Sequence, residues 1–520
     1  MANKTLFNST RGRLAARADS INEAGGASYS MDAKHQLAQY AATGCLNSTF
    51  YAGAATQLDT VLELCNQVEP EFVARTALYC RNEGHMKDLP ALLCAHLSVS
   101  SPGLLAEVFD RVIDSPKMLR NFVQIMRSGV VGRKSLGTLP KRLIRQWLEN
   151  RSDQQVFFSS IGADPSLADV IKMVHPKPAT PSREALYAYL IGRDHNAEPL
   201  PDIVQSYEAY KNNATTSIPD VPFQLLTSLP LDGAAWKDIA RRAPWQTTRM
   251  NLNTYARHGV FDDPELVSLV AAKLANRALI ERSRVFPYQL LMAYSMASTS
   301  LPQEILAALE AALEIACSNV PSIPGKTYVF VDVSGSMHSP VTGYRKGATS
   351  KVSCVDVAAL VAACVLRRNP TAEVIPFSND VVWTKLNPRD TVMTNAQKLS
   401  SLPAGGTNCA APLLELNRRK GKADTVIYVS DNQSWLDITP SWWRQGTGTA
   451  QAWEAFKALN PRARMVCIDL QPYGAIVAKD QEYVLNIGGF SDVVFKVIGK
   501  FAMRSDDARH WTNVIELIAI

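Results

Sequence analysis

No stretch of this 520-residue chain stays apolar over the roughly 18 residues that a membrane-spanning helix needs. The opening segment, MANKTLFNSTRGRLAARADS, is polar and basic and lacks the apolar centre of an export signal. The nine cysteines, at 45, 65, 80, 94, 317, 354, 364, 409 and 467, form no C-x-x-C pair. That spacing excludes a zinc module and a small disulfide framework, and it predicts reduced thiols in a cytoplasmic protein with no membrane partner. The Asn-x-Ser/Thr triplets at Asn8 and Asn47 then carry no sugar, because glycosylation requires export. The eight histidines share no motif, and no Ser-His-Asp or Cys-His arrangement stands out, so an enzyme is not expected. PGKT, ending at Thr327, imitates a phosphate-binding loop. The glycine that loop requires would fall at Val320, and Lys326 precedes a strand rather than a helix, so nucleotide binding there is rejected.

What is present describes a folded protein with more than one core. Apolar residues make up 47% of the chain and charged residues 20%, ordinary values for a globular protein, and 520 residues exceed one core. The net charge of +6 is unevenly placed. Residues 111–151 hold Arg111, Lys117, Arg120, Arg127, Arg133, Lys134, Lys141, Arg142, Arg145 and Arg151 against Asp114 and Glu149 alone. One strongly basic region in an otherwise balanced domain points to a localised polyanion site.

Residues 30–320 read as one helix after another. LLAEVFDRVID places Leu104, Val108, Phe109 and Val112 at helical spacing, and KRLIRQWLEN, SLADVIKMV, REALYAYLIG, AAWKDIARR, PELVSLVAAKLAN and EILAALEAALEIA repeat the period. Pro, Gly and Asp/Asn clusters separate them. A stack of degenerate helical pairs is expected, since an amphipathic helix cannot bury its own face. At NVPSIPGKT the pattern changes. Four β-rich runs follow, TYVFVDV, AEVIPFS, DTVIYVSD and ARMVCIDL, separated by helical stretches. They predict a parallel sheet covered on both faces. The expected division is therefore a helical domain over 1–320 and an α/β domain over 321–520.

Ligands of open α/β sheets sit beyond the carboxyl ends of the strands. Asp332 ends the first strand of the second domain, Asp431 ends a later one, and Thr407 lies in the glycine-rich loop LPAGGTN. With Ser334 and Ser336 they form a candidate set of five oxygen donors. Carboxylates and hydroxyls without His or Cys suit a hard divalent cation, Mg²⁺ foremost. The alternating D-x-S-x-S spacing turns its side chains toward one point, and Gly335 is expected to relieve crowding there. The alternative is that both serines merely cap the following helix.

DVSGS, then GGTN, then VSD resembles the von Willebrand factor A domain, whose metal-ion-dependent adhesion site uses an Asp-x-Ser-x-Ser loop, a distant Thr and a distant Asp. The first 320 residues resemble the TROVE module of the Ro family in INEAGGASYSMDAKHQLAQYAATG, STFYA, RTALYCRNEGHMKDLPALLCAHLS, LPKRLIRQWLE, IKMVHPKP and RVFPYQLLMA. This resemblance implies an α-helical ring of HEAT-like repeats (an α-solenoid torus) with a C-terminal α/β Rossmann-like A domain. It implies a ribonucleoprotein that binds small noncoding Y-like RNA on an outer basic surface. The single-stranded 3′ ends of misfolded RNAs would enter a central hole, in RNA quality control, with an exoribonuclease as a further partner. Carried onto this chain, the RNA-binding residues are Lys134, Lys141, Arg142, Arg145, His175 and Lys177. Lys141 and Arg145 share a helix face, though charge runs are more often simply solvated. His175 precedes Pro176 and equally suits a helix end, its ring bonding a free carbonyl. The segment before that helix, FFSSIGADPSLAD, carries Asp164 and Asp169 where family members often carry cations. The competing function is an adhesion or co-chaperone module whose metal site captures a carboxylate of a protein partner.

Overall fold

The computed structural model describes residues 16–22, 25–43, 54–84, 86–283, 285, 287–297, 301–317, 320, 322–344, 352–431, 447–471, 475–476, 478–479, 483–488, 498–499, 501–502 and 510–520. The chain forms two compact units that are not sequential. One is drawn from residues 1–68, 284–295 and 310–517, the other from 69–283, 296–309 and 518–520.

Among the described residues the strands in chain order are β1 (Ser20–Ile21), β2 (Ala27–Ser30), β3 (Thr327–Asp332), β4 (Glu373–Phe377), β5 (Thr425–Ser430), β6 (Arg464–Asp469), β7 (Ala475–Ile476) and β8 (Val484–Gly488). Five of them form a sheet in the order β4-β3-β5-β6-β8, every neighbouring pair parallel. Four strands were expected here, and β8 is the fifth. Its sequence, VLNIG, is broken by Asn486, a polar residue that weakens the apolar run. Asn486 is nevertheless buried, and its side-chain amide donates to the Ala478 carbonyl at 2.9 Å.

The sheet strands read as continuous apolar runs because both faces are covered. Alternate residues Tyr328, Phe330, Val426, Tyr428, Met465 and Cys467 turn to one side. There they meet Leu413 and Leu416 of the 411–418 helix and Trp453 and Phe456 of the 448–459 helix. Helix Cys354–Arg368 lies against β3 and β5 and is buried almost throughout its apolar length. It opens with a capping box: Ser353 and Asp356 exchange side-chain-to-backbone bonds. In the same unit the hairpin β1–β2 pairs with β7 in a three-stranded antiparallel sheet.

One pairing was not expected from the sequence. Cys317 and Cys364 lie against each other, their Cα atoms 5.6 Å apart. The reason is tertiary: helices Gln303–Cys317 and Cys354–Arg368 bring together residues 47 apart in sequence. Cys65, Cys80, Cys94, Cys354, Cys409 and Cys467 are buried and stand outside any disulfide.

The second unit is a run of helices, each packed against near neighbours in the chain. Its first part comprises Pro70–Asn82, Asp88–Ser100, Pro102–Val112, Pro116–Ser128, Thr138–Glu149, Asp153–Phe158, Leu167–Val174 and Pro181–Ile191. Within Pro102–Val112 the buried stripe is Leu105, Val108, Phe109 and Val112, so Leu105 replaces Leu104 as its first member. Helix Pro116–Ser128 starts at Pro116 behind the Ser115 cap and stops at Gly129, which takes the left-handed conformation at φ 86°. Trp147 is buried and ties two layers together by donating its indole N–H to the Ile113 carbonyl at 2.5 Å. The Arg151 guanidinium covers the indole ring at 3.3 Å.

Candidate metal centre and nucleic-acid interface

β3 ends at Asp332, and the next turn keeps the carboxylate at the mouth of the sheet. The Ser334 N–H donates to Asp332 Oδ1 at 2.8 Å, folding the loop back on itself. Ser334 and Ser336 hydroxyls then lie 3.3 Å apart. The Gly335 N–H donates to the Gly405 carbonyl at 2.9 Å, which lays the loop leading to Thr407 against this turn. Asp431 follows β5, the neighbouring strand, and stands close enough for its charge to act on Asp332. Solvent reaches 4% of Ser336 at most, and less of Asp332, Ser334, Thr407 and Asp431.

Neither serine caps a helix by its side chain. The short turn over Ser336–His338 takes Gly335 at its N-cap with no side-chain cap bond. Gly335 does not relieve crowding either. It adopts φ −60°, and a Cβ there would find its nearest neighbour, the Gly405 carbonyl, at 3.7 Å. The close approach is at Gly405, where a Cβ would come within 2.9 Å of Ser378 Oγ and 3.1 Å of its Cβ.

The electrostatics of the pair suit a cation. Burial first, and the Asp431 charge second, push the Asp332 carboxyl from 3.8 up to about 7, against the pull of its hydrogen bonds. A divalent ion would reverse both effects by neutralising the two carboxylates together. Two carboxylates and three hydroxyls, all buried on adjoining loops at one end of the sheet, are of the kind that suits Mg²⁺, a hard ion that keeps some of its waters. One contributor escaped the sequence reading. The buried Ser430 donates its hydroxyl to Asp332 Oδ2 at 2.5 Å, so both oxygens of Asp332 are held by protein donors. The only signal for it was its position beside Asp431, where a serine at the end of a strand is unremarked.

The basic region of the helical unit builds a second site. Arg127 comes from the last turn of Pro116–Ser128. The chain then turns through Gly129 and Gly137, both at positive φ, and enters helix Thr138–Glu149. Lys134, Lys141 and Arg145 join Arg127 around one cavity of about 500 Å³, with Leu136 and Met173 supplying its apolar wall. Four cations and no carboxylate line it. Arg145 is also anchored, its Nε donating to the Val174 carbonyl at 2.5 Å.

Of the six expected RNA contacts, three therefore share the cavity. Arg142 does not: one residue beyond Lys141 it turns away on the helix and is exposed. His175 and Lys177 lie just past helix Leu167–Val174, both exposed and outside the cavity lining. His175 ends that helix in the left-handed conformation at φ 49°, its backbone N–H donating to the Ile171 carbonyl. Arg127 was counted in the basic region but not singled out. Asp169, which departs from the family pattern, is occupied with structure. It forms a capping box with Ser166, whose hydroxyl and N–H hold its carboxyl below the ordinary range.

Comparison with known proteins gives four results. Residues 326–502 match the family model of the Ro60 vWA domain. The chain is 25% identical over 456 residues, covering 80% of itself and 83% of its relative, to the RNA-binding protein RO60 of Deinococcus radiodurans. To the RNA-binding protein RO60 of Caenorhabditis elegans it is 24% identical over 255 residues, 46% of this chain and 37% of that one. In fold it resembles the crystal structure of the Deinococcus radiodurans Ro (RSR) protein. The TM-score is 0.62 at 20% identity, over 91% of this chain and 99% of the other. The resemblance to the Ro family thus extends over both the helical region and the A domain.

Proposed function

We propose that this chain acts as an RNA-binding protein of the Ro family, a ribonucleoprotein scaffold rather than an enzyme. The observation that supports it best is the cavity bounded by Arg127, Lys134, Lys141 and Arg145, a concentration of positive charge without a neutralising carboxylate in its wall. Lysine and arginine bind nucleic acid by displacing counterions from phosphates. The relatives that match most of the chain's length, or nearly half of it, are named as RNA-binding proteins. On this reading the partner is a small noncoding, Y-like RNA, with single-stranded 3′ ends of misfolded RNAs as a further substrate in RNA quality control. An exoribonuclease would then act alongside it, in the cytoplasm.

The A domain contributes a Mg²⁺ site. Asp332, Ser334, Ser336, Thr407 and Asp431 would hold the ion, and Ser430 would fix the orientation of Asp332. A bound ion supplies an open coordination place to a carboxylate or to water. The buried oxygen set favours a second reading, in which this site captures a protein partner.

The test is RNA binding by wild type and by Lys134→Glu with Lys141→Glu, in a filter or gel-shift titration across salt. Two charge reversals should weaken binding at least about tenfold and lower the slope of log affinity against log salt by about 2. Unchanged affinity and slope would show that RNA is not held here.

A further inference from the structure

The cavity raises a question of stoichiometry between charges. A volume of about 500 Å³ is of the size that takes one nucleotide-sized group. Yet four cations, Arg127, Lys134, Lys141 and Arg145, converge on it. An internal RNA nucleotide carries one negative charge on its phosphodiester, so four cations oversupply it. A nucleotide bearing a terminal phosphate chain carries several charges on one unit and matches the supply. Ser135 and Thr138 add hydroxyls at the rim, and Leu136 with Met173 offers an apolar wall to a sugar or base. Arg145, held by the Val174 carbonyl, is fixed before any ligand arrives, so part of its ordering cost falls on folding rather than on binding.

Resting on the RNA-binding reading above, we propose that this cavity is an end-binding subsite, taking the phosphorylated terminal nucleotide of an RNA, with a 5′-triphosphate as its best-matched form. The rest of the RNA then extends over the exposed cations outside the cavity, Arg142 among them. The chemistry recognised is a nucleotide with a phosphate chain, which an RNA end or a free nucleoside triphosphate can present. The RNA end is favoured by the wider spread of cations, which a free nucleotide cannot reach.

The experiment compares one RNA sequence bearing a 5′-triphosphate, a 5′-monophosphate or a 5′-hydroxyl, by fluorescence anisotropy at about 50 mM salt, where phosphate contacts are strong. Affinity should fall in that order, with at least about tenfold between the first and last. Lys134→Gln should weaken the triphosphate RNA far more than the hydroxyl RNA and so remove most of that difference. Because Lys134 is exposed, the variant is expected to fold. Thr138→Trp, also at an exposed position, tests the site by filling it without changing charge and should act in the same direction. Equal binding of all three RNAs by wild type would overturn the proposal while leaving RNA binding intact. Failure of every RNA to bind would instead overturn the RNA-binding reading itself. Free nucleoside triphosphate should compete with the triphosphate RNA only at much higher concentration. Competition at equal concentration would support the subsite's chemistry and assign its ligand to the free nucleotide, overturning the choice of an RNA end.

Discussion

Replacing Asp332 by asparagine should stabilise the metal-free protein at alkaline pH, although it deletes a candidate ligand. Asp332 has no exposed surface, and its carboxyl is pushed from 3.8 to about 7 by burial and by Asp431. Between those values the folded protein keeps a proton that the unfolded chain has released. Raising the pH through this window therefore draws the equilibrium toward unfolding. The stability present below about pH 4 is lost as the pH passes about 7. Converting the displacement of the carboxyl into free energy gives roughly 3–5 kcal/mol. Asparagine keeps the local contacts: its carbonyl accepts from the Ser334 N–H, and its amide can donate to Ser430 Oγ. Hydrogen exchange of the β3 and β5 amides reads the stability of this unit, and the difference between wild type and variant cancels the titrating groups other than Asp332 and its neighbour Asp431. In EDTA at about pH 8 the variant should be the more protected by several kcal/mol, and the gap should close at about pH 4. Saturating Mg²⁺ should reverse the order at pH 8 by protecting wild type alone. Equal protection of the two proteins at pH 8 in EDTA, or a response of both to Mg²⁺, would refute the reasoning.

The other expectations concern the same loop and the basic cavity. Ser430→Ala removes the donor to Asp332 Oδ2, a loss of about 1–3 kcal/mol for a buried charged acceptor. Divalent-ion affinity measured calorimetrically should fall about tenfold, and Ser430→Thr, which keeps the hydroxyl, should restore most of it. Gly405→Ala should cost about 1–3 kcal/mol, because its Cβ meets the buried Ser378. Gly335→Ala, with open space to 3.7 Å, should be nearly neutral. Thermal melting distinguishes them, and equal losses would contradict the assignment of the tight approach to Gly405. The Lys134→Glu, Lys141→Glu protein should melt like wild type while losing RNA affinity, since neither side chain is buried.

The extent to which the molecule was legible follows the range of each signal. Asp332, Ser334 and Ser336 are contiguous, so their convergence could be read from spacing alone. Thr407 and Asp431 could be added because strand ends of a parallel sheet gather at one edge, and the pattern of three segments resembled a known domain. Ser430 could not be read, because the bond that matters crosses between two strands 98 residues apart. The basic cavity shows the same limit from the other side. Composition located the charge in residues 111–151, but composition does not say which side chains meet. Arg127 joins Lys141 because Gly129 ends one helix at positive φ and lets the chain turn back, whereas Arg142 is lost from the cavity by a single helical step. The hairpin β1–β2 finding β7, and Cys317 finding Cys364, are longer-range versions of the same event. Local pattern decided that these segments would be strands or helices, and tertiary packing decided which of them touch. The two candidate sites differ accordingly: a spacing motif and a resemblance announce the metal site, while the anion cavity forms only once two helices and the turn between them bring Arg127, Lys134, Lys141 and Arg145 onto one face.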